Sequence, residues 1–229
     1  MVQKIYNIFY FSDKRFLILG GYTSGTDLET EVIDVSSSSS SSPFGDIPSK
    51  RDFAVGGLLG STPIICGGFD HREVDQDSCI SYNQSQWIKT HTMTTKRYSS
   101  GSVQLNATTL WIVGGGKQVE TGENMWETFT LDSSEFVGLD STVGNPGPLL
   151  PYPLAYSCVV KYSKDEVFVI GGGQLRLGMG RVGKCSSHKS TVLFSGKSDR
   201  VIWGIVFGSI KSKLKISQNP GQKVTVKMF

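Results

Sequence analysis

Short apolar runs alternate with polar, glycine-rich stretches along the chain, and none of the runs carries the 3.6-residue spacing of an amphipathic helix. Four of them end in a glycine pair: Gly20 and Gly21, Gly67 and Gly68, Gly114 and Gly115, Gly171 and Gly172. The first glycines of successive pairs lie 47, 47 and 57 residues apart, and the longer interval contains the Pro/Gly-rich stretch 143–153. A period near 50 marks an array of like units, each unable to bury both of its faces alone. In the second unit, apolar or alternating segments at 53–59, 64–66, 78–82 and 87–88 are separated by turn-forming residues, which predicts a four-stranded meander. The third unit repeats this with segments at 102–105, 109–113, 126–131 and 135–137. Glycine at a strand end permits positive φ and close backbone approach, so each pair is expected where neighbouring units meet.

The order of features is an apolar run, Gly-Gly, a polar loop, a strand ending in Tyr, then Trp, and an Arg opening the next unit. This order resembles the kelch repeat, best in Cys66-Gly67-Gly68, Tyr82, Trp87 and Arg97. The resemblance covers roughly residues 4–173. It implies an all-β protein, a kelch-type β-propeller of four-stranded antiparallel blades carried by residues 1–175. Three and a half matching units leave the ring incomplete or small. It closes with the tail, pairs with another chain, or belongs to a longer product.

Composition adds an asymmetry. The chain has 229 residues, 27 of them glycine, and a formal net charge of +3. Residues 1–180 hold 13 Lys+Arg against 19 Asp+Glu (−6), whereas 181–229 hold 10 against one (+9). The basic segment 176–229 diverges from the repeat but stays β-like, with an apolar stretch at 201–207 and a hairpin signal around 218–222. Its lysines alternate with apolar residues, as on a guarded sheet edge, without the interleaved aromatics of a nucleic-acid platform. The serine run at 36–42 reads as a disordered surface loop. No apolar run reaches the ~18 residues of a membrane-spanning helix. The N-terminal stretch is a poor secretion signal, which favours the cytoplasm.

Candidate chemistry is sparse. Gly178 to Cys185 approximates a phosphate-binding glycine loop, but no strand–loop–helix context accompanies it. His71, His91 and His188 pair with no cysteine at metal-ligand spacing, so no metal, cofactor or catalytic residue is expected. Cys66 and Cys79 face each other if the intervening hairpin centres near 72, yet two free core thiols are the expected state. Asn83-Gln84-Ser85 and Asn106-Ala107-Thr108 match the glycosylation triplet and read as turn residues unless the chain is secreted.

The loops after the glycine pairs carry most of the remaining charge. Asp70, His71, Arg72, Glu73, Asp75, Lys117 and Glu120 are the candidate partner-binding residues there. Arg51, Arg97 and Tyr98 open the next units and are candidates for the same surface or for a central channel. The resemblance implies a non-catalytic scaffold or adaptor that binds a protein partner. A sugar-acting enzyme on the same fold is the alternative, and it requires Arg51, Arg97 and Tyr98 to converge on a pocket.

Overall fold

The computed structural model describes residues 5–12, 14–22, 30–70, 74–122, 125–164 and 166–174, and five short strands between 186 and 228. Among the described residues the chain is all-β, without a helix, and no helix is long and apolar enough to cross a membrane.

Four antiparallel sheets follow one another in sequence. The first comprises β1 (Ile5–Ser12), β2 (Arg15–Tyr22), β3 (Thr30–Asp34) and β4 (Ser39–Ser41). The second comprises β5 (Val55–Leu59), β6 (Thr62–Cys66), β7 (Ser78–Asn83) and β8 (Gln86–Thr92). The third begins with β9 (Gly101–Asn106) and β10 (Thr109–Val113). The chain then leaves the sheet as a separate two-stranded arm, β11 (Gly116–Gly122) and β12 (Met125–Thr130). It returns to complete the sheet with β13 (Ser134–Gly138) and β14 (Asn145–Pro146). The fourth sheet pairs β15 (Cys158–Ser163) with β16 (Glu166–Ile170). A short hairpin, β17 (Gly173–Gln174) with β18 (Ser186–Ser187), follows at the place of the arm. The sheet is completed by β19 (Thr191–Ser195) and β20 (Gly204–Val206). Last, β21 (Leu214–Ser217) pairs antiparallel with β22 (Thr225–Met228), and the turn signal at 218–222 lies outside the described residues.

The sheets stack because their central strands are apolar on both faces. Alternate residues of a strand point to opposite sides. Along β6, Ile64 and Cys66 pack with Leu110, Ile112 and Val137 of the third sheet, whereas Ile65 packs with Leu17, Leu19 and Val32 of the first. Along β10, Leu110 and Ile112 face the second sheet, while Trp111 and Val113 join Val167 and Val169 of the fourth. A continuous apolar run is therefore a strand sandwiched between neighbours. The first strands of successive sheets also adjoin, β1 with β5, β5 with β9 and β9 with β15. Between the first two sheets, Trp87 Nε1 donates to Gly45 O at 3.4 Å and the Tyr82 hydroxyl donates to Pro43 O at 3.3 Å. Phe44 sits edge-on to both rings.

The glycine pairs act at these interfaces. Gly67 (φ 69°) and Gly114 (φ 61°) lie in the left-handed region. A Cβ on Gly67 would stand 2.2 Å from the carbonyl oxygen of Arg97, and one on Gly114 2.1 Å from that of Leu154. The second glycine of each pair bonds the same oxygen: Gly68 N donates to Arg97 O at 2.9 Å and Gly115 N to Leu154 O at 2.8 Å. In the first unit, Gly20 and Gly21 fall within β2.

Three expectations are corrected. The serine run is not a disordered loop. Asp34 Oδ1 accepts the Ser36 and Ser37 amides at 2.8 and 3.2 Å and the Ser36 hydroxyl, ordering a turn, and β4 then pairs with β3. These bonds, led by the Ser36 hydroxyl, hold the Asp34 carboxyl below its ordinary value. Residues 126–131 do not form the third strand of their sheet. Those up to Thr130 belong to the arm, because alternation alone does not say which strand is the partner. Finally, Cys66 and Cys79 are not free thiols: they pair directly across β6 and β7, and their sulfurs are bonded.

Candidate functional site

One end of the array carries the loops that follow the glycine pairs and the connections that lead into each first strand. At three equivalent positions there, four residues before the middle of a first strand, a non-glycine residue adopts positive φ: Phe53 (55°), Ser99 (52°) and Tyr156 (57°). They are linked in series across the sheet interfaces. Ser99 N donates to Phe53 O and Tyr156 N donates to Ser99 O, each at 2.8 Å. The preceding residue is also equivalent in all three units, bridging to the residue after the glycine pair as Asp52–Phe69, Tyr98–Gly116 and Ala155–Gly173.

Aromatic rings gather on this arc. Phe69 lies 4.2 Å from Tyr98, and Phe53 lies 6.4 Å from both Phe69 and Tyr156, in edge-to-face contacts. Tyr98 is buried, Phe53 and Phe69 are half-buried, and Tyr156 is 50% exposed. The Ser99 hydroxyl is buried among the rings' backbones with no hydrogen-bond partner among the described residues.

The arm stands beside this row. Its register places Lys117 opposite Phe129 and Val119 opposite Glu127, so these four share one face. Val119 and Phe129 are 36% and 44% exposed on it. The other face is tied down at Thr128, whose Oγ1 accepts from the Tyr98 hydroxyl at 3.1 Å, and the edge of the arm is held by Gln118 N, which donates to Asp75 Oδ2 at 3.0 Å. Burial pushes the Tyr98 phenol up to about 12, with Tyr156 and Asp75 adding to the shift and the Thr128 bond opposing it. It therefore stays a neutral donor.

Among the described residues, four of the six charged candidates serve the fold: Arg51, Asp70, Asp75 and Arg97. The Arg97 guanidinium is 1% exposed, bonds Glu135 Oε1 through Nε at 2.9 Å and Nη2 at 2.8 Å, and donates to Gly114 O and Ser133 O. Burial pulls its pKa down and Glu135 pushes it back. The second carboxylate oxygen of Glu135 accepts from Thr94 N and Oγ1. Arg51 donates to Gly67 O, Ser78 O and Ser78 Oγ, the same strand-end carbonyls one unit earlier. Asp70 is buried and accepts from Val74 N, ordering its own loop, and Asp75 is buried under the arm. The expectation that Arg51, Asp70, Asp75, Arg97 and Tyr98 face a partner is thus corrected. Sequence shows that these groups are charged or polar, but not that a carbonyl or carboxylate waits beneath them. Lys117 is half-buried and Glu120 exposed on the arm. His71, Arg72, Glu73 and the glycine loop at 178–185 lie outside the described residues.

Sequence reasoning missed Phe53, Phe69, Val119, Phe129 and Tyr156. The signal was present in the constant two-residue offset of Phe53 from Arg51 and of Ser99 from Arg97. Among the described residues, no cluster of His, Cys, Asp and Glu is arranged to hold a metal ion.

No protein-family model matches the chain, and no curated protein matches it significantly. Among solved structures, 158 chains match. One of them, described as the structure of YjhT, superposes with a TM-score of 0.67 at 12% identity, over 93% of this chain and 68% of that one. At that identity the likeness is one of fold alone, and a fold held by so many chains selects no activity.

Proposed function

We propose that this chain is a kelch-type propeller array working as a protein-binding module, with the aromatic row and the arm as its docking end. The reading of each sheet as a blade is supported by the serial stacking and by the first strands adjoining as they would around an axis. The observation that carries the binding reading is Tyr156 together with Phe53. A bulky residue in the left-handed region costs about 1–2 kcal/mol. The interunit hydrogen bonds explain why the backbone takes that conformation, but not why an aromatic side chain occupies it, since glycine or asparagine would be cheaper. Strain retained at an exposed aromatic is a mark of use. The unpartnered Ser99 hydroxyl between them supports the same reading, as do Val119 and Phe129 on the free face of the arm. The sugar-enzyme alternative loses its support, because Arg51, Arg97 and Tyr98 are engaged by the backbone, Glu135 and Thr128.

Photo-crosslinkers at positions 129 and 156, compared with one at exposed Leu139 on the opposite end, test this. The expected outcome is a common protein adduct at 129 and 156 and none at 139. Replacing Phe129 and Val119 by Glu should then weaken that partner at least about tenfold, as loss of central apolar contacts does. Equal labelling at all three positions, or affinity unchanged in the double variant, overturns the docking end.

A further inference from the structure

The Cys66–Cys79 bond and the two glycosylation triplets bear on each other. A disulfide closed between fully buried sulfurs persists in an oxidising compartment, and such compartments are also where asparagine-linked glycans are added. In that setting Asn83-Gln84-Ser85 and Asn106-Ala107-Thr108 are acceptor sequences, a meaning that the residues alone do not carry.

Their placement fits the role. The first triplet lies at the tip of the β7–β8 hairpin, where Gln84 and Ser85 take positive φ (47° and 69°) in a tight two-residue turn. The second lies at the tip of the β9–β10 hairpin, and all six residues are exposed. At Asn106, the Thr108 amide and hydroxyl both donate to Oδ1, at 2.8 and 3.0 Å, which holds the turn by the oxygen. The nitrogen is the atom that reacts. We propose that Asn83 and Asn106 are N-glycosylation sites and that this domain matures in an oxidising compartment.

The chemistry is a glycosyl transfer without change of oxidation state. Nδ2 attacks the anomeric carbon of a lipid-diphosphate-linked oligosaccharide. The carbon–oxygen bond to the diphosphate breaks, and the lipid diphosphate leaves with the electron pair. The Nδ2 proton passes to a base of the transferase.

The topology keeps these glycans away from the docking end. In an antiparallel meander the β5–β6 and β7–β8 turns lie at one end of the sheet, and the loop after the glycine pair lies at the other. The β9–β10 turn joins the former end, because Gly60 N donates to Ala107 O between the two turns. Glycans at Asn83 and Asn106 therefore leave the end opposite Phe53, Phe69 and Tyr156. They flank Leu139, which is 55% exposed and whose amide donates to Thr108 O.

The full chain, secreted from eukaryotic cells behind a cleavable leader, tests the proposal. Two mobility steps are expected, both removed by peptide N-glycosidase, with Asn83 and Asn106 converted to Asp by mass spectrometry. Ser85→Ala and Thr108→Ala should each abolish one step, while Thr108→Ser, which keeps the hydroxyl, should retain it. Cys66 and Cys79 should resist alkylation until a reductant is added. A single unmodified species, a step that survives its Ala variant, or free thiols at 66 and 79 in the secreted protein would overturn it.

Discussion

Gly114→Ala should destabilise the chain by about 3 kcal/mol or more, whereas Gly171→Ala, at the same place in the next unit, should cost only about 1–2 kcal/mol. Both glycines take nearly the same backbone conformation, φ 61° and 67°, so the penalty for a side chain in the left-handed region is common to the two. The surroundings differ. A Cβ at Gly114 would lie 2.1 Å from Leu154 O and 3.2 Å from the Leu150 side chain, with a backbone oxygen that also accepts Gly115 N. Among the described residues, nothing lies within 4 Å of a Cβ at Gly171. The added methyl at 114 must therefore push the fourth sheet off the third, or break the hydrogen bond between them. Denaturant unfolding of the two variants beside the parent measures the difference. Equal losses would mean that the glycine pair serves backbone conformation alone and not the approach of one sheet to the next.

The second large effect concerns the buried ion pair. Glu135→Ala or Arg97→Ala should each cost about 3–5 kcal/mol, since either leaves an uncompensated charge in the interior. The fourth unit shows what a neutral version of the same position looks like. Leu154 stands where Arg97 does, four residues before a first strand, and Val192 pairs with Val169 as Glu135 pairs with Ile112. Arg97→Leu combined with Glu135→Val should accordingly recover at least half of the loss, giving a coupling energy of about 2 kcal/mol or more in the double-mutant cycle. Additive losses would contradict the pairing. Ser133 and Gly114 offer only carbonyl and hydroxyl oxygens, so they cannot substitute for the carboxylate.

These two positions mark what the sequence makes legible. The repeat was readable because a strand buried on both faces must be apolar throughout, and because only glycine tolerates a neighbouring carbonyl against its Cα. The arm was not readable. Residues 126–130 alternate as a sheet strand would, and nothing local distinguishes pairing with 116–120 from pairing with 109–113. Nor does sequence spacing reveal that Arg97 and Glu135, 38 residues apart, meet inside the third unit. Charge in a loop reads as a surface until the oxygen beneath it is seen. The opposition of Cys66 and Cys79 did follow from the hairpin centre; the bond between them depends on the compartment, which a strand pattern does not encode.

The docking end exists only if the sheets are joined in series at the arc, and native-state hydrogen exchange reads that joint directly. The amides of Gly68, Gly115, Ser99 and Tyr156 each donate across a sheet interface, to Arg97, Leu154, Phe53 and Ser99 respectively. They should exchange as slowly as the amides of β6 and β10 at the centre of their sheets, because opening them requires sheets to part. Exchange at those four amides as fast as at the exposed Asn83–Gln86 turn, with β6 and β10 still protected, would show independent sheets and contradict the account.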